Sequence, residues 1–177
     1  LSQWRQDLEI SFMAVGDAMA QNYPFQVTQF ARSFELESEL GALHGESGGD
    51  NNPPESYGLV PWYIQNRVTV RNDIEKPFCI IFGDVRMEPA VTAPMFRKVF
   101  DIEWQKTDSV ALFQRVSQSW DLRFLCLPPP LEKQNIIDEQ WADAIGRENI
   151  MHIADGFRSV DFAMGLVAKR WGHLDDF

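Results

Sequence analysis

Residues 78–82 read FCIIF, five consecutive side chains without a charge or an amide. Extended, such a run is apolar on both faces, so it predicts a strand covered on two sides inside a sheet. Everything else in the chain must supply neighbours and cover for that strand. Residues 62–71 offer one neighbour: Trp62, Ile64, Val68 and Val70 alternate with Tyr63, Gln65, Arg67, Thr69 and Arg71, apart from Asn66 on the apolar side. Period two over ten residues predicts a strand with one buried face. The six residues NDIEKP between the two runs suit a hairpin connection. Phe100, Ile102 and Trp104 alternate with Asp101, Glu103 and Gln105, predicting a third strand. A fourth is predicted over residues 122–127, stopped by Pro128-Pro129-Pro130.

Helices are predicted around these strands. Leu8, Phe12, Val15 and Met19 form an i, i+4, i+7, i+11 stripe, broken at Asn22-Tyr23-Pro24. A second helix opens on Pro24 and carries Val27, Phe30 and Phe34, so the pair reads as a helical hairpin. Asp108 or Ser109 can cap a helix with Val110, Phe113, Val116 and Trp120 on its inner side. Asp138 can cap a turn with Trp141 and Ile145, and Val160, Met164, Val167 and Trp171 mark a last helix. The expected fold class is α+β: a roughly four-stranded, mostly antiparallel sheet packed by an N-terminal helical hairpin, one middle helix and C-terminal helices.

At 177 residues the chain is expected to be one domain. It divides into a hairpin over residues 1–43, an exposed loop over 44–56, a sheet with one helix over 57–127, and C-terminal helices over 128–177. The loop, HGESGGDNNPPES, holds three glycines and two prolines and also marks a possible boundary between a helical and a sheet lobe. In element order alone, the pattern resembles that of the acidic secretion chaperones, which combine a terminal helix, three strands, a helix and further strands.

Chemistry-bearing patterns are sparse. Neither a G-x-x-x-x-G-K-[ST] nor a G-x-G-x-x-G phosphate loop occurs, nor a G-x-S-x-G nucleophile elbow. Cys79 and Cys126 lie in apolar runs, as buried free thiols do, and form no CxxC site. His152 with Asp155, and His173 with Asp175 and Asp176, each supply at most half of a metal site. No catalytic residue, metal or cofactor is therefore assigned, although Asp84 after the FCIIF strand, with Glu88, Asp101 or Glu103, and His152 are the places where a scattered site could assemble.

Charge gives the sharper expectation. The net charge is −10, and residues 1–56 contribute −7 of it, from nine acids against two bases. Lysine and arginine form no cluster beyond the adjacent pairs Arg97-Lys98 and Lys169-Arg170, which argues against nucleic-acid or anionic-membrane binding. No stretch approaches the ~20 apolar residues of a membrane span, and no signal-like start precedes the first helix, so a cytoplasmic location is expected. Glu35 and Glu39 are i, i+4 neighbours read as the last turns of a helix, where like charge and the helix dipole both disfavour them. Such a choice suggests an acidic docking face of Glu35, Glu39, Glu46, Asp50 and Glu55, with Tyr57 and Trp62 as aromatic anchors; a solubilising surface is the plainer alternative. The expected function is a small acidic binding module, of inhibitor, immunity or chaperone type, for a protein partner with a basic surface. Two other classes stay open: an enzyme with a nonlocal carboxylate or histidine site, and a subunit of a larger, possibly viral, assembly.

Overall fold

The computed structural model describes residues 7–45, 54–74, 76–128 and 131–173. In chain order its elements are β1 (Met13–Val15), β2 (Phe25–Val27), α1 (Glu35–Gly41), α2 (Leu59–Arg67), β3 (Phe78–Gly83), β4 (Ala90–Val91) and α3 (Ala93–Phe100). There follow β5 (Thr107–Asp108), α4 (Ser109–Val116), β6 (Asp121–Cys126), α5 (Leu131–Ile145), β7 (Ile150–His152) and α6 (Ser159–Arg170). The class is α+β, but the expected four-stranded antiparallel sheet does not form among the described residues. There are six helices and sheets of two, three and two strands, and the largest sheet is parallel. No described helix is long and apolar enough to cross a membrane.

The chain divides into two compact units. Unit 1 comprises residues 1–62 and 87–109, and unit 2 residues 63–86 and 110–177. The divisions fall inside α2, after Trp62, and inside α4, after Ser109.

In unit 1 the predicted helical hairpin is a β-hairpin. Met13 pairs with Val27 and Val15 with Phe25, antiparallel. The helical stripe of residues 8–19 is broken at its centre by Gly16 and Asp17. The Asp17 carboxylate accepts hydrogen bonds from the backbone N–H groups of Met19 and Ala20 at 2.7 and 3.1 Å, and Gly16 N–H donates to the Pro24 carbonyl at 2.9 Å. An Asp that caps its own turn offers the backbone an alternative to the helix, and here that alternative prevails. Thr28 locks the hairpin from within, accepting from Phe12 N–H at 2.9 Å.

The predicted strand over residues 62–71 is instead the helix α2. Leu59, Val60, Trp62 and Ile64 are all buried, so the first turns are covered nearly all round and show no amphipathic period to read, while Gln65, Asn66 and Arg67 at the end are exposed. Pro61 sits in its first turn, where a missing N–H costs little. The predicted strand from Phe100 is likewise the end of α3 and an irregular segment, turned by Asp101 in a left-handed conformation (φ 54°). Trp62, Phe96, Phe100 and Trp104 then form one aromatic cluster. Trp62 stacks on Phe100 with ring centroids 4.5 Å apart and meets Phe96 and Trp104 edge-on at 5.3 and 5.5 Å.

Unit 2 is a three-stranded parallel sheet in the order β3-β6-β7. The FCIIF run forms β3 as expected, but at an edge; the central strand is β6, whose last three residues are all buried. Parallel strands need long crossovers. The one from β6 to β7 is α5, which runs back along the sheet and stacks Trp141 on Phe124, centroids 3.9 Å apart and 12° from coplanar. Phe113 of α4 packs edge-on against the same indole at 5.2 Å, and the Trp141 N–H donates to the Val85 carbonyl at 3.4 Å. The last predicted helix is present as α6.

Candidate functional site

In open parallel sheets, working groups collect beyond the carboxyl ends of the strands, where side chains from several strands meet. The three carboxyl ends of this sheet carry Gly83-Asp84 (β3), Cys126 (β6) and His152 (β7). Register sets the last two side by side, because Cys126 is paired directly with His152. Parallel partners in register project to the same face of a sheet. That register is held from the other end of β7. Gly146 (φ 91°) ends α5, Asn149 donates to the Ile145 carbonyl at 2.6 Å, and Arg123 of β6 donates to the Asn149 side chain.

The helix α5 supplies the rest of the site. Gln134 and Asp138 are one turn apart on it, and both reach His152. The ring Nε2 lies 3.2 Å from Asp138 Oδ2, and the Gln134 amide lies 2.7 Å from Nδ1. The imidazole is thus fixed through both nitrogens while its side chain stays 45% exposed. Asp138 is mostly covered, and its second oxygen, Oδ1, is buried without a hydrogen-bond partner. Cys126 completes the group. Its sulfur, a carboxylate oxygen of Asp138 and a ring nitrogen of His152 all lie within 4.8 Å of one another. Among the described residues this is the one group of three metal-capable side chains.

Electrostatics suit a neutral thiol here. Burial, then the carboxylates of Asp138 and Asp84, push the Cys126 thiol up to about 11. Burial alone pushes Cys79, on β3, to about 12. Neither thiol is a thiolate near neutrality, and Cys126 donates weakly to the Leu127 carbonyl at 3.4 Å, so neither has the makings of an activated nucleophile.

The sequence pairing of His152 with Asp155 does not occur. Asp155 instead caps the turn Gly156–Arg158, accepting from Phe157 N–H at 3.0 Å. The carboxylate that meets His152 is Asp138, mid-helix rather than at the helix start expected for it. The available signal was the i, i+4 spacing of Gln134 and Asp138 ahead of Trp141 and Ile145, a helix stripe polar in its first half and apolar in its second. Asp84 does close a strand, as expected, and it acts on Cys126 through its charge. Glu88, Asp101 and Glu103 belong to unit 1.

The residues of the acidic face also lie in unit 1, as far as they are described. Glu35 and Glu37 occupy the first turn of α1, not its last, so the dipole favours them. Glu35 accepts from Arg32 N–H at 3.4 Å and Glu39 from Gln29 N–H at 3.0 Å. Glu55 bridges to Met87 through the backbone. Glu46 and Asp50 lie outside the described residues. Tyr57 and Trp62 are 7% and 2% exposed, so their rings belong to the packing of the unit. The exposed aromatic beside α1 is Phe34, 96% exposed, with Phe30 and Leu40 half exposed. His44 stacks on Tyr23 at 4.8 Å, and its backbone is held by both ends of the Gln26 amide. Asp175 and Asp176, named with His173, lie outside the described residues.

Comparison with protein-family models, with curated proteins and with solved structures finds no match to this chain.

Proposed function

We propose that the chain is an enzyme whose working end is the carboxyl edge of the parallel sheet in unit 2, with His152 as its proton-transfer group. The observation that carries this reading is an imidazole oriented by Asp138 through Nε2 at a strand end, with 45% of its side chain exposed; Nδ1 is then the atom that takes the proton, and substrate must displace the Gln134 amide from it. A carboxylate behind a histidine selects the tautomer and supports the imidazolium once a proton has been taken, which is what general acid–base chemistry requires. Asp84, at the end of β3 next to β6, adds negative charge at Cys126 on the same edge.

The test is turnover of a panel of chromogenic carboxylic-ester, phosphoester and amide substrates by the purified protein and by His152→Ala and Asp138→Asn. The reading expects at least one class to be turned over, with both substitutions reducing the rate by about 10²–10⁴-fold at unchanged far-UV circular dichroism. Wild-type inactivity across the panel, or full activity of His152→Ala, overturns it.

A second reading draws on unit 1. Phe34 stands almost fully exposed one residue before Glu35 and three before Glu37, and an aromatic ring beside acids suits a basic protein partner. Charge reversal at Glu35 and Glu39 together with Phe34→Ala should then abolish capture of that partner from a lysate of the source cell. Unchanged capture by the triple variant would remove this reading.

A further inference from the structure

The chemistry of the Cys126–Asp138–His152 group is unusual for a plain acid–base site. A proton-transfer histidine gains nothing from a fully buried thiol sulfur at its side. A buried carboxylate oxygen without a donor costs free energy unless something positive reaches it. Both features have one explanation in common. We propose that Cys126 Sγ, a carboxylate oxygen of Asp138 and a ring nitrogen of His152 are three protein ligands for a divalent cation of the zinc class, with a fourth position open to solvent. This rests on reading the carboxyl edge as the working end of unit 2 and names the cofactor of that edge; with an ion bound, His152 would serve as a ligand in place of the proton-transfer role.

The donor set decides the class of ion. One thiolate, one imidazole and one carboxylate are a soft-to-borderline combination that suits zinc or cobalt and not magnesium or calcium, which take oxygen donors. Three protein ligands with one position left over is the pattern of zinc sites that act on substrates rather than of purely structural ones. Distances agree with a site that closes on the ion. Bonds of about 2.0–2.3 Å place tetrahedral donors roughly 3.3–3.8 Å apart, and the three donor atoms already lie within 4.8 Å. Contraction by about an ångström is within reach of side-chain rotation at Asp138 and His152. Charge also balances: a thiolate and a carboxylate neutralise the dication and leave the imidazole neutral.

Gln134 fits the second layer of such a site. With Nε2 on the ion, the ring proton must sit on Nδ1, which then donates to the amide oxygen of Gln134. That requires the amide turned end for end from the orientation with its nitrogen at 2.7 Å, an exchange that leaves the rest of the geometry unchanged. Metal-bound histidines regularly donate their second N–H in this way. Binding also has a proton signature. The Cys126 S–H bond breaks as the S–metal bond forms, the sulfur keeps the electron pair, and the proton leaves to buffer.

The experiment is titration of the full chain with Co²⁺, followed by displacement with Zn²⁺. The expected result is one ion per chain, a thiolate-to-cobalt charge-transfer band, and one proton released per ion at pH 7.5 by calorimetry in two buffers. His152→Ala should weaken binding by at least tenfold, Gln134→Leu by about 10–100-fold, and Cys126→Ala should remove the band and the proton release. Asp155→Asn, outside the site, should bind as the wild type does. His152 and Gln134 are surface positions, so their variants report even if Cys126→Ala does not fold. Absence of cobalt uptake by the wild type, or a wild-type affinity in both His152→Ala and Gln134→Leu, overturns the proposal. The two readings fail separately: turnover lost in His152→Ala without any metal uptake leaves the acid–base enzyme and removes the ion, whereas stoichiometric uptake without turnover does the reverse.

Discussion

Replacing Trp141 by alanine tests whether the stack on Phe124 is what holds α5, and with it Gln134 and Asp138, on the sheet. The indole is fully buried, lies 3.9 Å from Phe124 and meets Phe113 at 5.2 Å. Truncating a buried tryptophan costs about 3–5 kcal/mol, and losing two ring contacts places this case in the upper half of that range. About 4 kcal/mol is a large share of a stability of roughly 5–15 kcal/mol. With a urea slope near 2 kcal/mol/M, the midpoint should fall by about 2 M. Trp141→Phe keeps a ring on Phe124 and loses the N–H bond to the Val85 carbonyl, so a fall of only about 0.5–1 M is expected. The assay is urea denaturation followed by far-UV circular dichroism. If Trp141→Ala shifts the midpoint by less than about 0.5 M, the stack is not what fixes the helix, and the placement of Asp138 beside His152 needs another cause.

Gly58→Ala should destabilise unit 1 by about 1–3 kcal/mol, because a Cβ there would lie 2.5 Å from Ser109 Oγ and 2.7 Å from Val91 Cγ2; thermal melting reads it. Glu88→Gln should raise stability near pH 7, since burial first and the Asp17 carboxylate second push the Glu88 carboxyl up. A raised carboxyl pKa means the folded chain loses stability as pH rises through it, so the gain from glutamine should be present above the usual glutamate range and vanish below it. For the same reason, and with the same sign, folding should weaken above about pH 9 as the thiols of Cys126 and Cys79 ionise more readily in the unfolded chain than in the folded one, where they sit at about 11 and 12. Urea midpoints measured between pH 8 and 11 check this, and a flat profile refutes it. Ellman's reagent at pH 8 should label the fully buried Cys126 only as fast as the chain opens.

The parts legible in the sequence were those where one periodicity stood alone. The FCIIF run, the Leu122 strand, the Phe113 helix and the terminal helix were each placed correctly, because a buried strand and an amphipathic helix leave different spacings. The misplaced elements were those in which two spacings coexisted. Trp62, Ile64, Val68 and Val70 fit alternation, yet Trp62 and Ile64 are buried together with Leu59 and Val60 on a helix, and tertiary packing around Phe96 and Phe100 decided between them. Leu8, Phe12, Val15 and Met19 fit a helix, but the local hydrogen bonds of Asp17 outweighed that stripe. The direction of the main sheet was illegible because the strand after β3 is not its partner; the pairing waits for residue 121. The site depends on that pairing. His152 meets Asp138 through a crossover helix and Cys126 through strand register, and neither relation is local in the chain.

That interleaving has a consequence for how the chain is made. Unit 2 begins at Tyr63, breaks off after Arg86 while the chain builds part of unit 1, and resumes at Val110. During synthesis from the N-terminus, β3 emerges well before its first partner strand, and the carboxyl edge is incomplete until β7 follows. The apolar FCIIF strand must therefore wait unpaired while unit 1 is finished, a period in which an edge strand is open to pairing with other chains. Folding order and protection of that strand, more than the final stability of either unit, would govern the yield of folded protein in the cell.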